Sequence, residues 1–281
     1  MNTSGVQYEP CVVSFIDILG FRDVIKTRPA EEVYGIIKTL QKFTFPDEDE
    51  PARSMDEVRL YSRAFAQSVS DAIVRVRPFN TQYRDGAFVH EILDLLYAQI
   101  ELVNIGLLVR AGVTVGDAYA GFNGEGPIFG PGMVRAYEIE SQEAIFPRIV
   151  IDDYALGQHK SDERLRAKHN LLKHELDMLE DLLAVGEDGI HFIDYLKAAR
   201  DVPDHFGTYL AFVEKHADMI RKGIVQKGDA RTFRKFEWLR RYHNARVSPL
   251  RDKALSTRKS RSAFLDEFEA DPEEYFAKVI V

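Results

Sequence analysis

The chain has 281 residues, 45% of them apolar and 29% charged, with a formal net charge of −8. This length and apolar content supply a core without covalent staples, and the acidic balance argues against a general nucleic-acid or membrane-surface binder. The single cysteine, Cys11, excludes an intrachain disulfide, and there is neither a membrane-length apolar run nor a signal-like N-terminus, so a cytoplasmic protein with no nucleic-acid or membrane partner is expected.

In chain order, Val12 to Ile16 is short, β-branched and apolar, and reads as a strand buried on both faces. Asp17 interrupts that run, Gly20 permits a tight turn, and a helix-compatible segment follows Pro29 from Ala30 to Leu40. Residues 47–57 form an acidic connector containing Pro51. Residues 62–77 read as a hairpin with Asp71 between its two strand-like runs, and residues 86–106 as an amphipathic helix striped by Ile92, Leu95, Leu96, Ile100 and Val103. Leu107 to Ala120 is a strand. The glycine-rich stretch 121–131 reads as a flexible hairpin, since no Gly-Lys-Ser/Thr follows it. Residues 132–144 are helical and 147–152 form a further strand.

Beyond residue 155 the chain becomes mainly helical. The pattern predicts one long charged helix over 161–185, a turn and short strand over 188–193, and two helices over 203–247 broken near 223–228. His159, His169 and His174 read as surface histidines, and the Arg-rich face of 231–246 as a solvated helix face. The order strand–helix–strand–strand–helix–strand within residues 10–120 matches a split βαβ, ferredoxin-like core. The fold class expected is α+β, a mixed sheet with flanking helices over residues 10–155, with a helical C-terminal elaboration over 156–281 packed on it.

Asp17 and Asp71 are the two chemical oddities. A carboxylate at the tip of a buried strand costs several kcal/mol unless it is paired or holds a metal. Two such acids, one beside a glycine turn, suit a hard divalent cation that also takes substrate phosphate oxygens.

Three stretches together resemble the catalytic domain of class III nucleotidyl cyclases. Phe15-Ile16-Asp17-Ile18-Leu19-Gly20-Phe21 looks like that family's first metal motif, Val69-Ser70-Asp71-Ala72-Ile73-Val74 like its second, with Ser70 where Gly is usual, and Arg110-Ala111-Gly112-Val113-Thr114-Val115-Gly116 like its Arg-x-Gly-x-x-x-Gly strand. The resemblance implies two divalent cations, Mn²⁺ or Mg²⁺, held by Asp17, Asp71 and the backbone carbonyl of Ile18. It also implies a triphosphate on the amides of Leu19, Gly20 and Phe21, and a homodimer with active sites at its interface. The family's purine-reading pair is absent: Gln67 and Pro127 stand at those positions, and Val134 and Glu138 stand where an Asn and an Arg support the transition state. Arg135, one residue out of register, is the candidate catalytic arginine, with Arg148 as another.

The stretches 129–140 and 146–152, then Asp188-Gly189-Ile190-His191-Phe192-Ile193-Asp194-Tyr195-Leu196 and 235–244, are similar to the pyrimidine cyclases of bacterial Pycsar anti-phage systems. That narrower resemblance implies conversion of UTP, favoured over CTP, to a cyclic monophosphate read by a separate effector in antiviral defence. Phe65, with Tyr61, would fill a base pocket too small for a purine, and Gln67, which both donates and accepts, would read the base. The alternative is a non-catalytic cyclase-like sensor that binds a nucleotide.

Overall fold

The computed structural model describes residues 6–45, 60–121, 127–201, 206–225 and 230–281. The acidic connector 47–57, the middle of the glycine-rich stretch and the break between the two helices of 203–247 lie outside the described residues. The chain divides into two units: one comprises the residues up to Leu102 with Leu107–Ile193, the other Val103–Gly106 with Asp194–Val281.

The first unit is a mixed sheet with flanking helices. Its elements are β1 (Glu9–Ile18), α1 (Phe21–Thr27), α2 (Ala30–Thr44), β2 (Phe65–Val69), β3 (Ala72–Pro78), α3 (Ala87–Asn104, whose last two residues fall in the second unit), β4 (Val109–Ala118), α4 (Pro131–Glu138), β5 (Ile149–Ile151), α5 (Asp153–Ser161), α6 (Leu172–Leu182), β6 (Leu183–Val185) and β7 (His191–Ile193). The described sheet has the order β2-β3-β1-β4-β5-β7-β6, antiparallel except for the β4–β5 pair. Its first four strands follow the ferredoxin-like order, as the sequence pattern implies, and β6 and β7 carry the sheet on to Ile193. β1 is central because its apolar residues are buried on both faces: Val12, Val13 and Ile16 are at most 1% exposed.

Side chains alternate along a strand, so each face has its own list. Cys11, Val13, Phe15 and Asp17 of β1 stand in register with Gly116, Thr114, Gly112 and Arg110 of β4. α4 packs on this face, and the glycines explain how. A Cβ at Gly112 would come within 2.4 Å of the Ala136 carbonyl oxygen, and one at Gly116 within 2.8 Å of Gly132 Cα. The Arg-x-Gly-x-x-x-Gly pattern is therefore the docking row for α4, with backbone against backbone. α4 runs on into one π-helical turn, Ile139–Glu143, closed by Ala144 N–H donating to the Ile139 carbonyl at 2.8 Å. On the opposite face, Ser14, Arg75 and Arg77 meet α3.

The long helix expected over 161–185 is a correction. Asp162 caps a short 3₁₀ turn at Arg164, Leu165 is fully buried, Ala167 bridges to Asp85, and only Leu172–Leu182 is α-helical. Pairing with the chain at Arg84 and Asp85 holds Arg166 and Ala167 out of helix, against their helical periodicity. His159 is likewise not a surface residue: it is fully buried on α5, with Nε2 2.8 Å from Glu175 Oε2 on α6.

The second unit contains α7 (Tyr195–Ala198), α8 (Phe206–Val225), α9 (Ala230–Leu255), α10 (Arg258–Phe268) and α11 (Pro272–Val279). Its interior holds a polar chain. Tyr195 Oη lies 2.6 Å from His216 Nε2, His216 Nδ1 2.8 Å from His243 Nδ1, and His243 Nε2 2.9 Å from the Val279 carbonyl. A carbonyl only accepts, so His243 donates from Nε2, accepts at Nδ1 from His216, and His216 Nε2 accepts from Tyr195. Burial holds the His216 imidazole far below the usual histidine range and pushes His243 down to about 4, so both rings are neutral. Among the described residues no helix is long and apolar enough to cross a membrane.

Candidate active site

Asp17 reaches the site because β1 ends at Ile18 and Gly20, at φ 80°, turns the chain into α1. Asp71 reaches it from the β2–β3 hairpin, whose tip holds Ser70 at φ 60°, the left-handed conformation that Gly would adopt more easily. Asp17 pairs with Ala72 in register, so the carboxyls of Asp17 and Asp71 come together across the β1–β3 pair. Burial, and then the neighbouring Asp71 carboxyl, push the Asp17 carboxyl up to about 7, against the lowering effect of Arg110.

Arg110 lies opposite Asp17 on β4. Its Nε and Nη2 donate to Asp17 Oδ2 at 3.0 and 2.9 Å. The same Nε stands 2.7 Å from Glu140 Oε1, in the π-helical turn after α4. Glu140 is 2% exposed, so Arg110 stands between two carboxyls, Asp17 and Glu140, with Asp71 next to the first. Sequence reasoning missed Glu140. It lay within a polar run, yet Ala136, Ile139 and Glu140 stand at i, i+3 and i+4, which places the acid on the buried stripe of the helix.

The expected phosphate donors differ in their commitments. Leu19 N–H donates to the Leu108 carbonyl at 2.9 Å and so closes the sheet, while Gly20 caps α1 and Phe21 opens it. Ile18, whose carbonyl was the third expected metal ligand, is the last residue of β1 beside Asp17.

Gln67 is exposed on the same sheet face as Asp17, and its Oε1 accepts from Ile128 N–H at 2.9 Å. This fixes which end of the amide faces outward: the NH₂ group. Phe65, two residues earlier on that face, is buried in an apolar cluster with Val74, Val76, Ile128 and Ala136. Tyr61 is 47% exposed and stacks on Tyr83.

Arg135 is not at the Asp17 end of the site. Its guanidinium bonds Asp152 and Glu143, and Asp152 accepts from Thr114, four residues along β4 from Arg110 or roughly 13 Å by strand rise. Arg148, the other candidate catalytic arginine, is fully buried and donates to Asp188 at 2.5 and 3.1 Å.

The donor set fits a divalent cation in one respect. Asp17 and Asp71, neighbours across the β1–β3 pair, present carboxyl oxygens of the kind a hard cation takes. Among the described residues no group of three or more His, Cys, Asp or Glu is arranged to hold a metal unaided, so substrate oxygens would complete the coordination.

No protein-family model matches the sequence, and no curated protein matches it. Solved structures do. The catalytic core of a rhodopsin-guanylyl cyclase with converted specificity, in complex with ATPαS, is 16% identical over 66% of this chain and 96% of its own, with a TM-score of 0.42. The monomeric guanylyl cyclase domain of the RhoGC fusion protein from the aquatic fungus Blastocladiella emersonii is 14% identical over 66% and 95%, with a TM-score of 0.39. A bacterial light-regulated adenylyl cyclase is 10% identical over 56% and 81%, with a TM-score of 0.37.

Proposed function

We propose that the chain is a nucleotide cyclase that converts a pyrimidine nucleoside triphosphate, UTP before CTP, into its 3′,5′-cyclic monophosphate and pyrophosphate, a signal for a separate effector in anti-phage defence. The observation that carries this reading is the Asp17–Asp71 carboxyl contact, set at the strand tip beside the Gly20 turn with more acid than base around it.

In the reaction the ribose 3′-oxygen bonds to the α-phosphorus, the bond from that phosphorus to the α,β-bridging oxygen breaks, and the hydroxyl proton leaves to water. A bound divalent cation supplies charge neutralisation at the triphosphate and a lower pKa for the attacking hydroxyl. Asp17, Asp71 and the Ile18 carbonyl would hold the cations, two Mn²⁺ or Mg²⁺ ions as the motifs imply. The amides of Gly20 and Phe21 orient triphosphate oxygens at the start of α1.

Gln67 selects the base. Ile128 N–H engages its carbonyl oxygen, so the outward NH₂ donates to a keto group, as on uracil C4, and meets only another donor in the amino group of cytosine. Phe65 supports that strand from the core. Arg135, distant from Asp17 in its own chain, serves the second protomer's site in a homodimer. The exposed Val134, Tyr137 and Ile145 around it form apolar surface suited to such an interface. The second reading, a non-catalytic nucleotide sensor, is favoured by one observation: Arg135 is engaged by Asp152 and Glu143.

The test is incubation of purified protein with ATP, GTP, CTP and UTP plus Mn²⁺, with products resolved by mass. One cyclic pyrimidine is expected, reduced by at least ~10³-fold in Asp17→Asn/Asp71→Asn. Only cyclic purines would overturn the pyrimidine reading, and no product from any nucleotide would favour the sensor. Gln67→Glu keeps an acceptor for Ile128 and turns an acceptor outward, so it should move preference from UTP toward CTP by ~10-fold; an unchanged ratio would remove Gln67 from base reading.

A further inference from the structure

We propose that Glu140 is a positioning residue for cation binding: it holds the Arg110 guanidinium so that Asp17 can exchange its arginine for a divalent cation. The proposal rests on the reading of Asp17 and Asp71 as the cation site.

Arg110 is bridged. It gives two hydrogen bonds to Asp17 Oδ2 and stands 2.7 Å from Glu140 Oε1. A guanidinium beside a carboxylate is a cation already in place, and it competes with a metal for the same oxygen. If Asp17 were its only acid, metal binding would strand Arg110, 19% exposed, beside a second positive charge. Glu140 removes that obstacle, because Arg110 keeps a carboxylate partner while Asp17 turns to the metal.

The backbone is built to bring Glu140 there. The π-helical turn places residue 140 over the strand, and such turns recur at functional sites. Gly112 leaves room for it: a Cβ at that position would lie 2.7 Å from Glu140 N. A carboxylate buried to 2% exposure is costly without such a partner, and Arg110 is its ion-pair partner.

The experiment is calorimetric titration of the full chain with Mn²⁺ alone, without nucleotide. Glu140→Gln should weaken Mn²⁺ binding at least ~10-fold, because it leaves Arg110 dependent on Asp17. Arg110→Gln/Glu140→Gln removes both charges at once, a change that is tolerated better than removal of one partner, and should bind Mn²⁺ within ~3-fold of the unaltered chain. Wild-type affinity in Glu140→Gln would overturn the proposal. So would a double variant that has lost as much affinity as the single one, since the loss would then not come from a stranded arginine. Should the single variant fail to fold, a double variant that binds Mn²⁺ ~10-fold or more weaker than the unaltered chain overturns the proposal by itself. Unchanged Mn²⁺ binding in Asp17→Asn/Asp71→Asn would instead overturn the reading of the two aspartates, leaving the two failures distinguishable.

Discussion

The two faces of the central sheet each bury an arginine–carboxylate cluster, and the two are composed differently. On the α3 face, Arg75 and Arg77 share Glu91 and Asp94, with bonds of 2.5 to 3.1 Å. Ser14 donates to Glu91, Arg75 also donates to the Thr44 carbonyl and Arg77 to that of Ser62. Two cations meet two anions. Burial alone would raise the Glu91 carboxyl, but the charges of Arg75 and Arg77 outweigh it and hold the group down at about 2. On the α4 face, Arg110 pairs with Asp17 and Glu140, Asp71 lies next to Asp17, and the Asp17 carboxyl is pushed up to about 7. A balanced cluster is complete in itself and fastens a helix to a sheet. An unbalanced one is complete only with a further positive charge, which is what a cation-dependent site provides.

The largest effect should come from breaking the balanced face. Glu91→Ala leaves two buried guanidinium groups with Asp94 as their remaining carboxylate, and should cost about 3–5 kcal/mol in urea unfolding. A loss below about 1 kcal/mol would mean that the cluster is not what fastens α3.

The pH dependence sharpens the contrast, because the two acids titrate with opposite signs. Glu91 falls from an ordinary 4.5 to about 2, so its contribution is fully present above 4.5 and is lost as pH falls toward 2. Asp17 rises from an ordinary 3.8 to about 7, so the metal-free fold binds this proton more tightly than the unfolded chain does. Its contribution is present below 3.8 and is lost as pH rises toward 7. Urea titrations from pH 4 to 7 should show a downward slope in the metal-free chain that Mn²⁺ flattens. An Asp17→Asn slope equal to the wild-type slope would refute this assignment. The smallest effect should be a gain: Asp17→Asn relieves the like-charge contact and should raise metal-free stability by about 1 kcal/mol, the opposite sign to Glu91→Ala. A loss would show that Arg110 depends on the Asp17 charge for its burial.

Much of this arrangement was legible in the sequence. Val12 to Ile16 could only be a buried strand, and an acid at its end followed by Gly20 marked the site. The Arg110-x-Gly112-x-x-x-Gly116 pattern identified a strand, but its meaning needed the period of two, which turns arginine and glycines toward the same helix. Glu140 escaped because a π-helical turn is set by tertiary packing and leaves no composition signal. His159 escaped because Lys160 and Ser161 beside it read as surface, while its partner Glu175 lies sixteen residues on, across a segment that extended pairing holds out of helix. Arg135 and Arg148 looked alike as charges in sequence. Only the positions of Asp152 and Asp188 show that each is already held.

The glycine row has a mechanical consequence. Where Gly112 and Gly116 meet α4, the helix backbone approaches the strand more closely than any Cβ at either position would permit. The spacing between β4 and the π-helical turn is thereby set by main chain, and with it the distance from Glu140 to Arg110. A larger residue at Gly112 or Gly116 would lever α4 away from the sheet and lengthen that distance.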